Sequence, residues 1–406
     1  MDRLIDDIQY CESLFSAFYD IGSVENGGVT RLGYTKTEDR MHALFAQKAK
    51  ELGCAVKADG AGNTFAANTD EKEYILIGSH LDSVVEGGRY DGVSGIIAGL
   101  MAMRWLKKDG LRLPLKVAAF RCEESSNFGQ CTIGSGLITG ALNVQRVSAL
   151  TGKSGGRLDG IFAERGYTFT PEKITGMKQY LEMHIEQGKV LEETGTEVGV
   201  VSTIAGTRRF RLILRGLAEH SGATPMSMRS DAMCAAAEII LAIESIGREE
   251  AVHQSVATVG IVNNHPNVLN VIPGETEIGV DLRGIDLESL ERLSSRVHAA
   301  AEEICKKRGI ALIEVKLGGS QPVKMSKTVQ DGLEKAAARL GLSFRNMPSG
   351  AGHDAMEFAP LCDTGMVFIP CLKGISHNRK EYAALQSILD GASVLYEYLK
   401  EVKTEC

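Results

Sequence analysis

Four short stretches of this chain carry the residue types that bind divalent metals. Ile77-Gly-Ser-His-Leu-Asp-Ser-Val-Val-Glu-Gly-Gly-Arg-Tyr-Asp-Gly92 brings His80, Asp82 and Asp91 together. Glu123 and Glu124 are adjacent, Met183-His-Ile-Glu-Gln-Gly188 contains His184, and Gly374-Ile-Ser-His377 ends in a histidine. Imidazole nitrogens mixed with carboxylate oxygens suit zinc, manganese, cobalt or nickel, whereas thiolates would indicate a structural zinc site. No cysteine pair has C-x-x-C spacing. Three histidines (His80, His184, His377) and two carboxylates (Asp91, Glu124) are too many ligands for one tetrahedral ion. They suit two ions sharing a bridging carboxylate, about 3.5 to 4 Å apart. Alone, an H-x-D pair or a Glu-Glu pair is as readily a solvated turn; the four stretches together carry the metal reading.

The elements that must position these residues are legible as apolar runs. Tyr74 to Gly78 reads as a buried strand and Val93 to Leu106 as a helix, so the first ligands lie beyond a strand's carboxyl end, where an open α/β sheet does its chemistry. A second strand, Leu113 to Arg121, delivers Glu123 and Glu124, and the alternation of side chains along a strand sends the two carboxylates to different tasks. A strand-like run from Gln179 leads into His184, and another, Met366 to Pro370, precedes His377.

The order and spacing of these pieces resemble the dinuclear metal amidase family of N-carbamoyl-L-amino acid hydrolase, β-ureidopropionase and allantoate amidohydrolase, relatives of the aminoacylase-type metallopeptidases. The matching pieces are GGVTRLGYT, GSHLDSVVEGGRYDGVSG, EESSNFG, HIEQGKVLE, AEHSGATPM, NVIPGE with DLR, AGHDA and GISHNRKEY, spread from residue 27 to residue 382. HIEQG distinguishes this branch from the peptidases. The resemblance implies two divalent ions per subunit, with Asp91 bridging, His80 and His184 completing one site, and Glu124 and His377 the other. It makes Glu123 the general base and gives Asp82 the imidazole's second N–H, which fixes the tautomer. His220 becomes an oxyanion donor presented to a neighbouring subunit, although read alone it is an ordinary turn histidine between Gly and Pro. Arg283 and Asn270 become anchors for a substrate carboxylate, Gln187 a reader of the ureido group, and Gly350, Ala351 and Gly352 a source of backbone N–H groups. His353 and Asp354 are as well explained by a structural pair beneath the site. The chain departs from the family's usual residues at Ser83, Ser125 and Asn127, which leaves substrate preference open.

The implied activity is metal-dependent hydrolysis of a ureido (N-carbamoyl) bond in a small anionic substrate. The Gly-Arg-Tyr-Asp-Gly loop favours an N-carbamoyl-L-amino acid, with allantoate and N-carbamoyl-β-alanine as alternatives. A reading from another class is a non-catalytic binding or assembly protein on the same scaffold; retention of Glu123 speaks against it.

The expected fold class is α/β, a metallopeptidase-like catalytic domain (1–206 plus 320–406) with an inserted ferredoxin-like β-α-β-β-α-β domain (207–319) for dimerisation or closure. In the insert, strands are expected over Arg208–Leu217, Ser255–Val262, Thr276–Arg283 and Ala311–Leu317, with helices over Ser227–Ile246 and Leu287–Arg308. A helix from Glu381 closes the chain. The 406 residues are 44% hydrophobic and 24% charged, ordinary for a globular protein. A net charge of -7 gives no footprint for nucleic acid. Nine scattered cysteines and no apolar run of membrane-spanning length are the pattern of a cytoplasmic protein. Cys122 and Cys131 read as small core residues. A homodimer with a site shared between subunits is expected.

Overall fold

In the computed structural model, residues 2–25 and 27–404 are described. The strands in chain order are β1 (Ala55–Ala58), β2 (Thr64–Ala67), β3 (Tyr74–His80), β4 (Leu115–Phe120), β5 (Met177–Ile185), β6 (Val198–Ile204), β7 (Gly206–Arg215), β8 (Val256–His265), β9 (Glu275–Gly284), β10 (Ala311–Ser320), β11 (Val323–Lys324), β12 (Phe344–Ser349) and β13 (Asp363–Ile369). The chain divides into two compact units. One runs up to Ser202 and resumes at Lys324; the other is Thr203–Val323.

The first unit is built on a mixed sheet of order β1-β2-β4-β3-β5-β13-β6-β11, with β12 also paired to β6. The central strands β4, β3, β5 and β13 are parallel, while β1, β2 and β6 join antiparallel at the flanks. Parallel strands are covered on both faces and read as unbroken apolar runs; every residue of β3 is buried. The covering helices include Val93–Lys108 and Leu385–Thr404, which pack on each other and on the sheet. Val93–Lys108 comes close because Gly95 faces the strands: a Cβ there would overlap the Met183 carbonyl oxygen. The chain leaves β3 for β4 on one side, then places β5 on the other side of β3. That reversal is the switch point where open α/β sheets bind ligands beyond their strands' carboxyl ends.

The second unit has the order β7, helix Ala232–Glu250, β8, β9, helix Leu287–Arg308, β10. Its four strands are antiparallel in the order β10-β7-β9-β8, the ferredoxin-like arrangement. Phe210, Leu212 and Leu214 of β7 and Ile278, Val280 and Leu282 of β9 alternate inward and share a core with Ile239, Ile243, Leu293 and Val297 of the helices. Asp286 caps Leu287–Arg308 by accepting the Ser289 N–H, and Gly309 ends it at φ 65°. The first helix starts later than Ser227 because the cap is Asp231, whose carboxylate accepts the N–H groups of Met233 and Cys234. The closing helix likewise starts at Leu385, leaving Glu381 in a loop. Among the described residues no helix is long and apolar enough to cross a membrane.

Candidate metal centre

His80 ends β3, His184 lies near the end of β5, Glu123 and Glu124 follow β4, and His377 follows β13. Four parallel strands thus deliver the candidate ligands to one edge of the sheet. They form two triads, His80–Asp91–His184 and Asp91–Glu124–His377, with Asp91 common to both. Its two oxygens are divided between them. Oδ1 lies 3.3 Å from His80 Nε2 and 2.9 Å from His184 Nε2, whereas Oδ2 lies 3.2 Å from His377 Nε2. His377 Nε2 is also 3.0 Å from Glu124 Oε1. The donors are imidazole nitrogens and carboxylate oxygens, all buried but His377. Such a set fits divalent cations, which would balance the buried carboxylates crowded here.

Glu123 is in the same place with a different exposure to charge. Its Oε2 is 3.8 Å from His80 Nε2. Burial, opposed by His80 and reinforced by Glu124, pushes the Glu123 carboxyl well above its usual range. The two glutamates do not diverge through strand alternation, as the sequence suggested, since β4 ends at Phe120. Cys122 turns the chain at φ 52°, and the divergence arises in that loop. Cys122 is buried as expected, but Cys131 is exposed.

Asp82 holds this loop. Its Oδ1 accepts the Glu123 N–H (3.0 Å) and its Oδ2 the Glu124 N–H (3.1 Å). His80 Nδ1 lies 3.4 Å from Asp82 Oδ1 and 3.2 Å from the Asp82 carbonyl oxygen, leaving Nε2 to face Asp91. Gln187 and His377 are held at φ 58° and 53°, conformations that cost non-glycine residues energy and gather at functional sites. Gln187 donates from Nε2 to Asp91 Oδ2 at 2.8 Å, and its buried Oε1 has no protein partner.

Several residues shape this region in roles that the sequence alone does not assign. Glu38, far upstream, accepts the Cys122 N–H and the Tyr34 N–H and pairs with Arg121. Arg31, fully buried, exchanges backbone contacts with Ser83: its N–H donates to Ser83 Oγ and its carbonyl accepts the Ser83 N–H. These contacts tie the GGVTRLGYT stretch to the loop after His80 and use the Ser83 hydroxyl. Asn127, another departure, is spent on the Gly33 carbonyl and the Lys153 N–H. Glu381 lies behind Asp91, and burial followed by the Asp91 charge pushes its carboxyl up to about 7.

His353 and Asp354 are not paired with each other. His353 bonds Ser349 Oγ and packs edge-on against the His184 ring, and Asp354 accepts from Ser135 Oγ at 2.5 Å. In the Gly350-Ala351-Gly352 loop the Ala351 N–H donates to Ser349 Oγ, so that group is satisfied inside the loop.

The remaining candidates belong to the second unit. His220 and Asn270 are exposed and lie on paired segments: the Ser221 N–H donates to the Asn270 carbonyl, and His220 bridges Val271. His220 Nδ1 accepts the N–H groups of Gly222 (3.1 Å) and Ala223 (3.2 Å). An acceptor Nδ1 leaves the proton on Nε2, so the exposed nitrogen is a donor. Arg283, on β9, donates to Asp281 Oδ2 from Nη2 at 2.9 Å.

Residues 76–401 match the family described as Peptidase family M20/M25/M40. The chain belongs to that family. Family M20 enzymes depend on metal ions, and the two triads are the groups that could hold them. The N-carbamoyl-L-amino acid amidohydrolase of Geobacillus stearothermophilus is 36% identical, over 93% of this chain and 94% of its own. The allantoate amidohydrolase of Bacillus subtilis is 33% identical, over 93% of each. A solved structure, an amidase of the hydantoinase/carbamoylase family from Burkholderia multivorans, superposes with a TM-score of 0.89 at 32% identity and covers 97% of both chains.

Proposed function

We propose that this protein hydrolyses the ureido bond of an N-carbamoyl-L-amino acid, releasing ammonia, carbon dioxide and the amino acid. It is a hydrolase of carbon–nitrogen bonds other than peptide bonds. The observation that carries the reading is the division of Asp91 between two triads with the Glu123 carboxylate beside them. The similarity to an N-carbamoyl-L-amino acid amidohydrolase supports the substrate class; the similarity to an allantoate amidohydrolase favours allantoate as the second reading.

In this reading His80, Asp91 and His184 would hold one ion and Asp91, Glu124 and His377 the other. The ions would supply Lewis acidity to the attacking water and the ureido carbonyl. Glu123 takes the proton of the attacking water and returns it to the departing nitrogen as the carbon–nitrogen bond breaks. Asp82 fixes the loop bearing Glu123. Gln187 Oε1, a buried acceptor with no protein donor against it, accepts a ureido N–H. His220 Nε2–H stabilises the developing oxyanion. Arg283 and Asn270 bind the substrate carboxylate, Arg283 sharing its guanidinium with Asp281. Gly350, Ala351 and Gly352 border the substrate.

We assign the unit Thr203–Val323 to dimerisation and closure, and His220 and Asn270 to the active site of a second copy. β8 is an edge strand with exposed Val256, Ile261 and Val262, a surface that a second copy would cover. A cytoplasmic setting suits the described cysteines, all of them free.

The deciding experiment is ammonia release from N-carbamoyl-L-amino acids, N-carbamoyl-β-alanine and allantoate by zinc- or manganese-loaded protein, beside a metal-stripped control. Metal-dependent turnover of a carbamoyl-L-amino acid supports the proposal. Turnover of allantoate alone moves the protein to the second reading, and silence on all of them with metal bound overturns both.

A further inference from the structure

Glu381 has no place in the roles above, yet it touches both halves of the centre. Its Oε1 accepts the backbone N–H groups of Tyr90 (2.9 Å) and Asp91 (3.0 Å). Its Oε2 accepts from Ser376 Oγ (2.9 Å), next to His377. Ser376 Oγ is in turn 3.1 Å from Asp91 Oδ2, the oxygen that faces His377. The carboxylate is wedged so tightly that a Cβ on Gly88 would overlap it. It is 5% exposed, and its bonds to Tyr90 and Asp91 cross about 290 positions of sequence. A buried carboxylate placed beside a second carboxylate is unfavourable unless the fold uses it.

We propose that Glu381 is a positioning residue that fixes the spacing of the two metal sites, by locking the Asp91 main chain and, through Ser376, the loop that carries His377. Its first oxygen sets where Asp91 stands. Its second sets where Ser376, and hence Asp91 Oδ2 and His377, stand relative to it. Loss of this lock lets the loop bearing His377 move away from Asp91, so the site formed with Glu124, held at both Asp91 and His377, weakens more than the site formed with His80 and His184, which shares only the displacement of Asp91. Partners that orient ligands from behind commonly change metal affinity 10- to 100-fold.

The inference rests on the two-ion reading, and calorimetric titration of metal-stripped protein with zinc separates the two. Wild-type stoichiometry tests the reading: a single ion in the wild type refutes two-ion binding and, with it, a spacing role. Given two ions in the wild type, Glu381→Ala tests the inference. We expect one affinity about 10- to 100-fold weaker and the other weakened by less. Glu381→Gln, which keeps an acceptor for the two N–H groups and an amide that donates to Ser376 Oγ, should restore both to near wild-type values. Manganese loading gives a second readout: a spin-coupled pair in wild type and Glu381→Gln, an isolated ion in Glu381→Ala at equal loading. Two unchanged affinities in Glu381→Ala overturn the proposal, as does an equal weakening of both ions. Should Glu381→Ala not fold, Ser376→Ala removes only the hydroxyl and is expected to weaken the same single ion; an unchanged titration there overturns the proposal.

Discussion

The Asp82 carboxylate receives the Glu123 N–H at 3.0 Å, so a residue two positions beyond one candidate ligand sets the backbone of the candidate base. The other oxygen receives the Glu124 N–H, and the imidazole of His80 lies against the same group. One buried side chain therefore orients three residues of the centre. Asp82→Ala leaves two buried N–H groups without acceptors, and metal affinity and turnover should each fall about 10- to 100-fold. Asp82→Asn keeps one acceptor and should lie between. Equilibrium dialysis with zinc, beside a turnover assay, measures both.

Glu123→Gln keeps the volume of the side chain but removes the proton acceptor. Metal content and substrate binding should persist while turnover falls about 10²- to 10⁴-fold. Turnover within a few-fold of wild type would reassign the base.

His220→Ala should leave metal content intact and lower turnover, since His220 is in the unit Thr203–Val323 and the triads are not. If the site is shared, mixing and reassorting His220→Ala with Glu123→Gln protomers regenerates one intact site in each mixed dimer, about a quarter of all sites by random pairing. No recovery would show that one chain completes its own site.

Glu250 offers a test of stability away from the centre. It ends helix Ala232–Glu250 and accepts from Arg292 at 2.7 Å and Ser289 at 2.8 Å on the neighbouring helix. The hydrogen bond from Arg292 outweighs burial and lowers its carboxyl from 4.5 to about 2. A folded-state value below the unfolded one gives stability that is complete above about 4.5 and lost as pH falls toward about 2. Glu250→Gln should therefore be less stable than wild type at pH 7, by about 1 kcal/mol or less because Arg292 and Arg296 remain screened by solvent, and the difference from wild type should shrink through that window. A difference independent of pH would refute the ion-pair account.

His80, Glu124, His184 and His377 were legible because each ends or follows an apolar run that proves to be a strand, Asp91 because it precedes the helix Val93–Lys108 in the same loop, and metal chemistry restricts residue type. The helix Leu287–Arg308 was legible from its apolar period and its end at Gly309. Glu381, Glu38 and Arg31 were not. Arg31 and Glu381 fall inside stretches quoted above, yet nothing local assigns a role to any of the three, because each is a single charged residue whose partners lie tens to hundreds of positions away. The flanking strands β1, β2 and β12 are not buried throughout and lack the unbroken buried run that marks β3. The loop at Cys122 was misread for a related reason: a backbone reversal at φ 52° leaves no trace in a non-glycine residue.

The interruption of the first unit by residues 203–323 also orders events during synthesis on the ribosome. His80, Asp91 and His184 emerge before the interruption and His377 long after it. A growing chain can assemble the first triad early, whereas the second cannot exist until the residues through His377 have been made. Strand β13 and the helix Leu385–Thr404 emerge in that same last stretch. Until then the β5 edge and the apolar face of Val93–Lys108 lack their cover, so the unfinished chain, rather than the finished protein, is the form most in need of a chaperone.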